Sequence, residues 1–174
     1  MKKISAYEIA LSALACAFVV ICLTVGSYSE VMLFSGYLFA AIALMLPLSK
    51  QSFKGYALAY VGGTILAFVF NAARFWDILP FVLFFGLHPL VNELQLRTKI
   101  NTWVACFVKA LWFDGTMYLI WRFVFGMTTN LDLVDKYVEL VILIFGTAFF
   151  VFYDYAFYKC RGVVNTFVAR FLKK

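Results

Sequence analysis

Three ionisable side chains, Lys109, Asp114 and Arg122, stand inside one apolar stretch that runs from Trp103 to Phe125. A charge is costly within an apolar helix. It marks either a pairing that ties helices together or a site that handles an ion or a polar ligand. Asp114 lies eleven residues beyond Trp103, roughly 16 Å along a helix at about 1.5 Å per residue, close to the middle of a bilayer core. Asp114 and Arg122 are eight residues apart, on broadly one side of the helix but beyond direct reach of each other. Each of the three therefore asks for a partner from another helix.

Other polar groups gather where apolar runs end. Arg74 and Trp76 fall in the turn Asn71–Asp77, and Trp121 adjoins Arg122. Arginine pairs with carboxylate or phosphate through a planar fork, and an indole face stacks on rings or cations. Arg74, Trp76, Asp114, Trp121 and Arg122 form the candidate set for a polar small-molecule ligand. The plainer reading of the same residues is loop charge and interfacial anchoring.

Several chemistries have no support. His88 is the only histidine, in Phe85-Gly86-Leu87-His88-Pro89, and no acidic or thiolate residue stands at metal-ligand spacing from it. Cys16, Cys22, Cys106 and Cys160 include no C-x-x-C pair, and in apolar runs cysteine packs as a small hydrophobe. No phosphate-binding loop, H-E-x-x-H or G-x-S-x-G occurs. The expectation is a protein that is not an enzyme, with no cofactor and no resident metal.

The elements that must position these residues follow from composition. The 174 residues are 65% hydrophobic, 20% aromatic and only 14% charged. Soluble domains are nearer half apolar and a quarter charged, because polar side chains must cover their outside. A bilayer removes that requirement. The pattern predicts an all-α membrane bundle in one domain, 1–174, with six helices at about 6–28, 31–48, 55–72, 75–92, 103–125 and 137–158. The first run is too long for the core of a signal peptide and leads straight into a second span, so it is expected to be retained. The fourth helix contains Pro80 and Pro89, and Gly86 with Pro89 predicts an irregular segment there, packed against protein rather than lipid.

Charge then sets orientation. With the N-terminus inside, one face receives Lys2, Lys3, Lys50, Lys54, Arg97, Lys99, Lys159, Arg161, Arg170, Lys173 and Lys174, and the other only Arg74 and Lys136. This asymmetry predicts both ends in the cytoplasm of a cell that carries the protein in its plasma membrane. It also accounts for the net charge of +6 without nucleic acid. Trp76, Trp103, Tyr28, Tyr137 and Tyr158 fall near proposed interfaces, as an aromatic belt requires. In the tail 163–174, Val163, Val164, Phe167, Val168 and Phe171 fall largely on one side among basic residues. It reads as a basic amphipathic segment on anionic lipid or as a frayed basic end.

Small residues mark helix contacts. Ala6, Ala10, Ala13 and Ala17 share one face of the first helix, and Gly55, Ala59 and Gly63 one face of the third. Such strips let helices approach closely, either within the bundle or toward a partner subunit.

Six spans, inward termini, small size and the opening Ala10-Leu11-Ser12-Ala13-Leu14-Ala15-Cys16-Ala17 together resemble the substrate-binding S components of energy-coupling factor transporters. The run Gly55-Tyr56-Ala57-Leu58-Ala59-Tyr60 is similar to their third helix. The resemblance implies that Ala13 and Ala17, with Ala10, dock a coupling transmembrane subunit. It also implies that separate subunits hydrolyse ATP, and that a vitamin-like solute binds near the outer face, through late helices and outer loops. The loop Ser29–Glu30 is shorter than the lid that such proteins often carry there. The competing reading is a small non-catalytic membrane scaffold or cell-envelope assembly protein that uses the same faces for partner helices. A stand-alone ion-coupled transporter is weaker, because no inverted repeat is visible.

Overall fold

Ser5 and Glu8 start the first helix. The Ser5 hydroxyl accepts from the Glu8 N–H at 3.2 Å, and the Glu8 carboxylate accepts from the Ser5 N–H at 2.8 Å. This reciprocal cap satisfies two donors that a helix start leaves open. It also absorbs the one formal charge of the apolar run. Helix α1 covers Ala6–Tyr28, as expected from the sequence. The computed structural model describes residues 5–98, 100–125, 137 and 139–172. The outer loop Met127–Lys136, with Asn130, Asp132 and Asp135, lies outside the described residues, as do Lys2, Lys3, Lys99, Lys173 and Lys174.

About 93% of the described residues are helical, and none is in a strand. A short 3-10 turn, Glu30–Met32, leads into α2 (Leu33–Leu48). Gln51 then adopts φ 58°, in a turn where the Gln51 N–H bonds the Leu48 carbonyl at 2.8 Å and the Ser52 N–H the Pro47 carbonyl at 3.1 Å. Ser52 caps α3 (Phe53–Phe70).

The segment expected as one helix over 75–92 is broken and runs further. It comprises a 3-10 stretch Ala72–Ile78, a π turn Phe81–Phe85 and α4 (His88–Thr98), with a 44° bend between the first part and the rest. Pro80, Gly86 and Pro89 account for the interruption, since each proline removes an N–H and crowds the preceding turn. Helix α5 covers Thr102–Ile120, with Asn101 accepting from the Trp103 N–H at its start, and runs into a π turn Trp121–Phe125. A third π turn, Ile142–Gly146, precedes α6 (Thr147–Leu172). The tail expected as a separate amphipathic segment from 163 is the continuation of α6. Gly162 meets no neighbour that would force a break, and Val168 is buried while Val163 and Phe167 are exposed.

Four helices among the described residues are long and apolar enough to cross a membrane: Ala6–Tyr28, Phe53–Phe70, Thr102–Phe123 and Glu139–Arg170. The bent pair Ala72–Ile78 and Phe81–Thr98 makes a fifth if it is one span, and Leu33–Leu48 is apolar but shorter. Large apolar side chains cover the outside, including Phe18, Phe39, Leu58, Phe107, Phe145 and Phe152. These apolar helices are compatible with a membrane protein.

The chain forms two compact units. One holds the residues up to Leu94 and those from Lys159 on, and the other is Gln95–Tyr158. In the first unit, glycines bring helices together. A Cβ on Gly36 of α2 would lie 2.7 Å from the Cys22 carbonyl oxygen and 3.2 Å from the Gly26 Cα, so α1 and α2 cross almost backbone to backbone. Gly63 of α3 likewise receives Val19, whose Cγ1 would lie 2.8 Å from a Cβ there.

Tyrosines complete the irregular segment. The Gly86 N–H bonds the Phe81 carbonyl at 2.7 Å, one residue further back than in an α-helix, which frees the Val82 carbonyl. The Tyr60 hydroxyl donates to that oxygen at 2.8 Å. The Leu90 N–H bonds Leu87 rather than Gly86, and the Tyr56 hydroxyl donates to the freed Gly86 carbonyl. Tyr37 donates to the Asp77 carbonyl. Broken helical backbone in an apolar setting needs such partners from protein.

Candidate functional site

The second unit pairs α5 with α6. Phe113 faces Phe149 and Phe150, with ring centroids 6.0 and 5.8 Å away. Two polar contacts cross the same seam. Lys109 donates to both oxygens of Asp154, at 2.6 and 2.8 Å. Thr147 donates to Asp114 Oδ2 at 2.6 Å. Rising numbers on α5 meet falling numbers on α6, as antiparallel neighbours must. Lys109 thus has the partner from another helix that its position demands. Asp154 was not among the sequence candidates. Its signal was available, as an acid in the apolar run Phe149–Tyr158 opposite in sign to a lysine of the preceding span.

Asp114 is buried, and its Oδ1 has no hydrogen-bond partner. That oxygen packs against Gly146, where a Cβ would lie 2.6 Å from it. The close approach gives a reason for glycine at this position, the last of the π turn. One turn beyond Asp114, the Tyr118 hydroxyl donates to Glu139 Oε1 at 3.3 Å. In the π turn that follows α5, Trp121 is half-buried and Arg122 exposed. Within this unit the seam therefore carries one closed ion pair, one carboxylate with an open oxygen, and aromatic side chains beside it.

Arg74 and Trp76 belong to the first unit. Arg74 Nη1 donates to the Ser27 carbonyl at 2.7 Å, so it caps the last turn of α1, where a cation also meets the negative end of the helix dipole. Beside it, Ser27 donates to Asn71 Oδ1 at 2.6 Å, and Asn71 Nδ2 donates to Thr24 Oγ1 at 3.1 Å and the Ala67 carbonyl at 2.8 Å. This network joins α1 to the end of α3. Trp76 is exposed and packs edge-on to Phe75 at 5.1 Å.

On α1, Leu11, Ser12, Ala15, Val19 and Leu23 are buried, whereas Ala6, Ala10, Ala13 and Ala17 are exposed. The glycine strip of α3 is used within the chain, with Gly55 against Ser12 and Gly63 against Val19. The alanine strip of α1 is not. His88 is fully buried with its ring 5.4 Å from that of Phe84. Glu93 of α4 accepts from Arg161 Nε and Nη2, at 3.1 and 2.7 Å, which ties the far part of α6 to α4. The sequence reading missed this pair: Arg161 was counted only among the basic residues of one face. Among the described residues no group of three or more His, Cys, Asp or Glu is placed to hold a metal ion.

Comparison with protein-family models, curated proteins and solved structures finds no match to this chain.

Proposed function

We propose that this chain is the membrane-embedded substrate-binding subunit of a bacterial micronutrient importer of the energy-coupling factor type. It spans the plasma membrane six times with both termini in the cytoplasm. The broken segment Ala72–Thr98 and the short α2 each count as a span, and the division of Lys and Arg between loops supports the orientation. The lipid bilayer, a coupling transmembrane subunit with its ATPases, and a small-molecule substrate are the partners.

The observation that carries the reading is the outward alanine face of α1. Lipid tails pack as well on large side chains as on small ones, so nothing in a bilayer favours four alanines in line. A second helix does, because small side chains let its backbone come close and make many contacts. The chain's own helices cover the opposite face. Arg74, Trp76, Asp114, Trp121 and Arg122 remain the residues proposed to meet substrate. Asp114 carries the strongest support among them, from its open oxygen.

The test is a pull-down of the tagged chain in mild detergent, with mass spectrometry of proteins and small molecules. Recovery of one membrane subunit together with two ATPases, or of a co-purified vitamin-like compound, supports the importer. Recovery of envelope assembly proteins alone overturns it in favour of the scaffold. Ala13→Trp with Ala17→Trp is expected to abolish uptake while sparing substrate binding. Loss of binding with the partner still associated would count against this division of labour.

A further inference from the structure

Asp114 is only 8% exposed, yet half of its carboxylate is unanswered among the described residues. Thr147 serves Oδ2 at 2.6 Å, and Oδ1 is buried without a hydrogen-bond partner. The nearest cation on the same helix, Lys109, donates to both oxygens of Asp154. A buried acceptor with no donor is unfavourable, the more so on an ionisable group. Among the described residues no donor meets Oδ1, which leaves a place for one from a ligand.

The surroundings narrow what that donor is. Asp114 and the Thr147 hydroxyl are two oxygen ligands, whereas hard cations such as calcium take six to eight, and the described residues hold no larger cluster. A bare metal ion is therefore poorly served. An anion would meet a carboxylate, with Glu139 a turn further on beside Tyr118. An organic ammonium brings up to three N–H donors, one of which Oδ1 can accept, and it gains from aromatic faces. Phe113 has Cε1 3.6 Å from the position a Gly146 Cβ would take, and Tyr118 and Trp121 follow one and two turns along α5 and the π turn after it. Gly146, which sets backbone rather than a side chain of its own against Oδ1, ends a π turn, a distortion that recurs at functional sites.

We propose that Asp114 Oδ1 receives the ammonium or N–H donor of a small amine ligand, in a site made by Asp114, Thr147 and the Gly146 backbone. The proposal rests on the importer reading and names the substrate's chemical class. The Gly146 backbone closes over Oδ1, so occupancy requires the π turn Ile142–Gly146 to move.

The test uses the purified full chain in detergent and three probes of one shape: phenethylammonium, the neutral 2-phenylethanol and the anionic phenylacetate. Binding is read by tryptophan fluorescence and by the shift in thermal unfolding midpoint. The expected result is saturable binding of the ammonium at least tenfold tighter than either isostere. Asp114→Asn is expected to abolish that preference, and Glu93→Gln, in the other unit, to keep it. Gly146→Ala, which sets a methyl against Oδ1, should also weaken the ammonium and serves if Asp114→Asn does not fold. Equal binding of the three probes, preference for the anion, or no saturable binding of the ammonium by the unaltered chain overturns the proposal. Because binding is read on the isolated chain, the two readings fail separately. Absence of a coupling subunit leaves ammonium selectivity standing, and absence of selectivity leaves the importer standing.

Discussion

Lys109 Nζ lies 2.6 Å from one oxygen of Asp154 and 2.8 Å from the other, with the lysine side chain 5% and the aspartate side chain 18% exposed. Two charges removed from water tolerate that setting only because each answers the other. Removing one takes the opposite charge of this ion pair from the other. Lys109→Met or Asp154→Leu alone is expected to destabilise the second unit by about 3 kcal/mol. Exchanging the two residues, Lys109→Asp with Asp154→Lys, should restore much of the loss. Denaturant or thermal unfolding in detergent measures both. Single variants as stable as the unaltered chain would show that the pair holds nothing together.

The tyrosine hydroxyls that meet the broken segment make a second prediction. Tyr56→Phe strips the donor from the Gly86 carbonyl and leaves the ring in place. The expected loss is about 1–2 kcal/mol, the penalty of an unanswered buried acceptor. Tyr60→Phe acts on the Val82 carbonyl and is expected to cost less, since Tyr60 is only half-buried. Amide exchange over residues 79–91 should rise in both variants, and an unchanged pattern would count against this role.

Glycines offer an internal contrast. A Cβ on Gly36 would press on the backbone of Cys22 and Gly26, which cannot yield as a flexible side chain can. Gly36→Ala should cost about 1–3 kcal/mol. Gly115, inside α5, has nothing within 4 Å of its Cβ position. Gly115→Ala should stabilise by up to about 1 kcal/mol through helix propensity alone. Paired unfolding curves decide the matter, and equal effects would refute the packing argument.

Gln51 is the one described residue other than glycine with positive φ, at 58°. A side chain is strained in that region and glycine is not. Gln51→Gly is expected to stabilise the turn between α2 and α3 by a few tenths to about 1 kcal/mol, seen as a higher unfolding midpoint. A fall in midpoint would contradict the prediction.

Glu93 and Arg161 fasten the far part of α6 to α4. The Arg161 side chain is 35% exposed, so solvent screens the pair and its worth is about 1 kcal/mol or less. Glu93→Gln should therefore leave global stability nearly unchanged while raising protease sensitivity and amide exchange over 159–170. Exchange that stays flat would show that packing of Val168, not the ion pair, secures the helix.

Sequence alone was enough to determine the class of molecule and much of its segmentation. Apolar runs of span length and helix-capping residues act locally, so α1 begins at Ala6 and ends at Tyr28 as read, and α2 ends at Leu48. Proline and glycine act locally too, and the irregularity expected around Gly86 and Pro89 is present. What hydropathy could not decide is which face of each helix meets the rest of the chain, because every face is apolar. Only the tertiary structure turned the Gly55–Gly63 strip inward and the Ala10–Ala17 strip outward. Packing alone also paired Lys109 with Asp154, 45 residues away, and carried α6 through the basic region to Leu172. Partners so distant in sequence are chosen by the register of one helix against another. That register depends on the summed fit of side chains along both, which no local pattern contains.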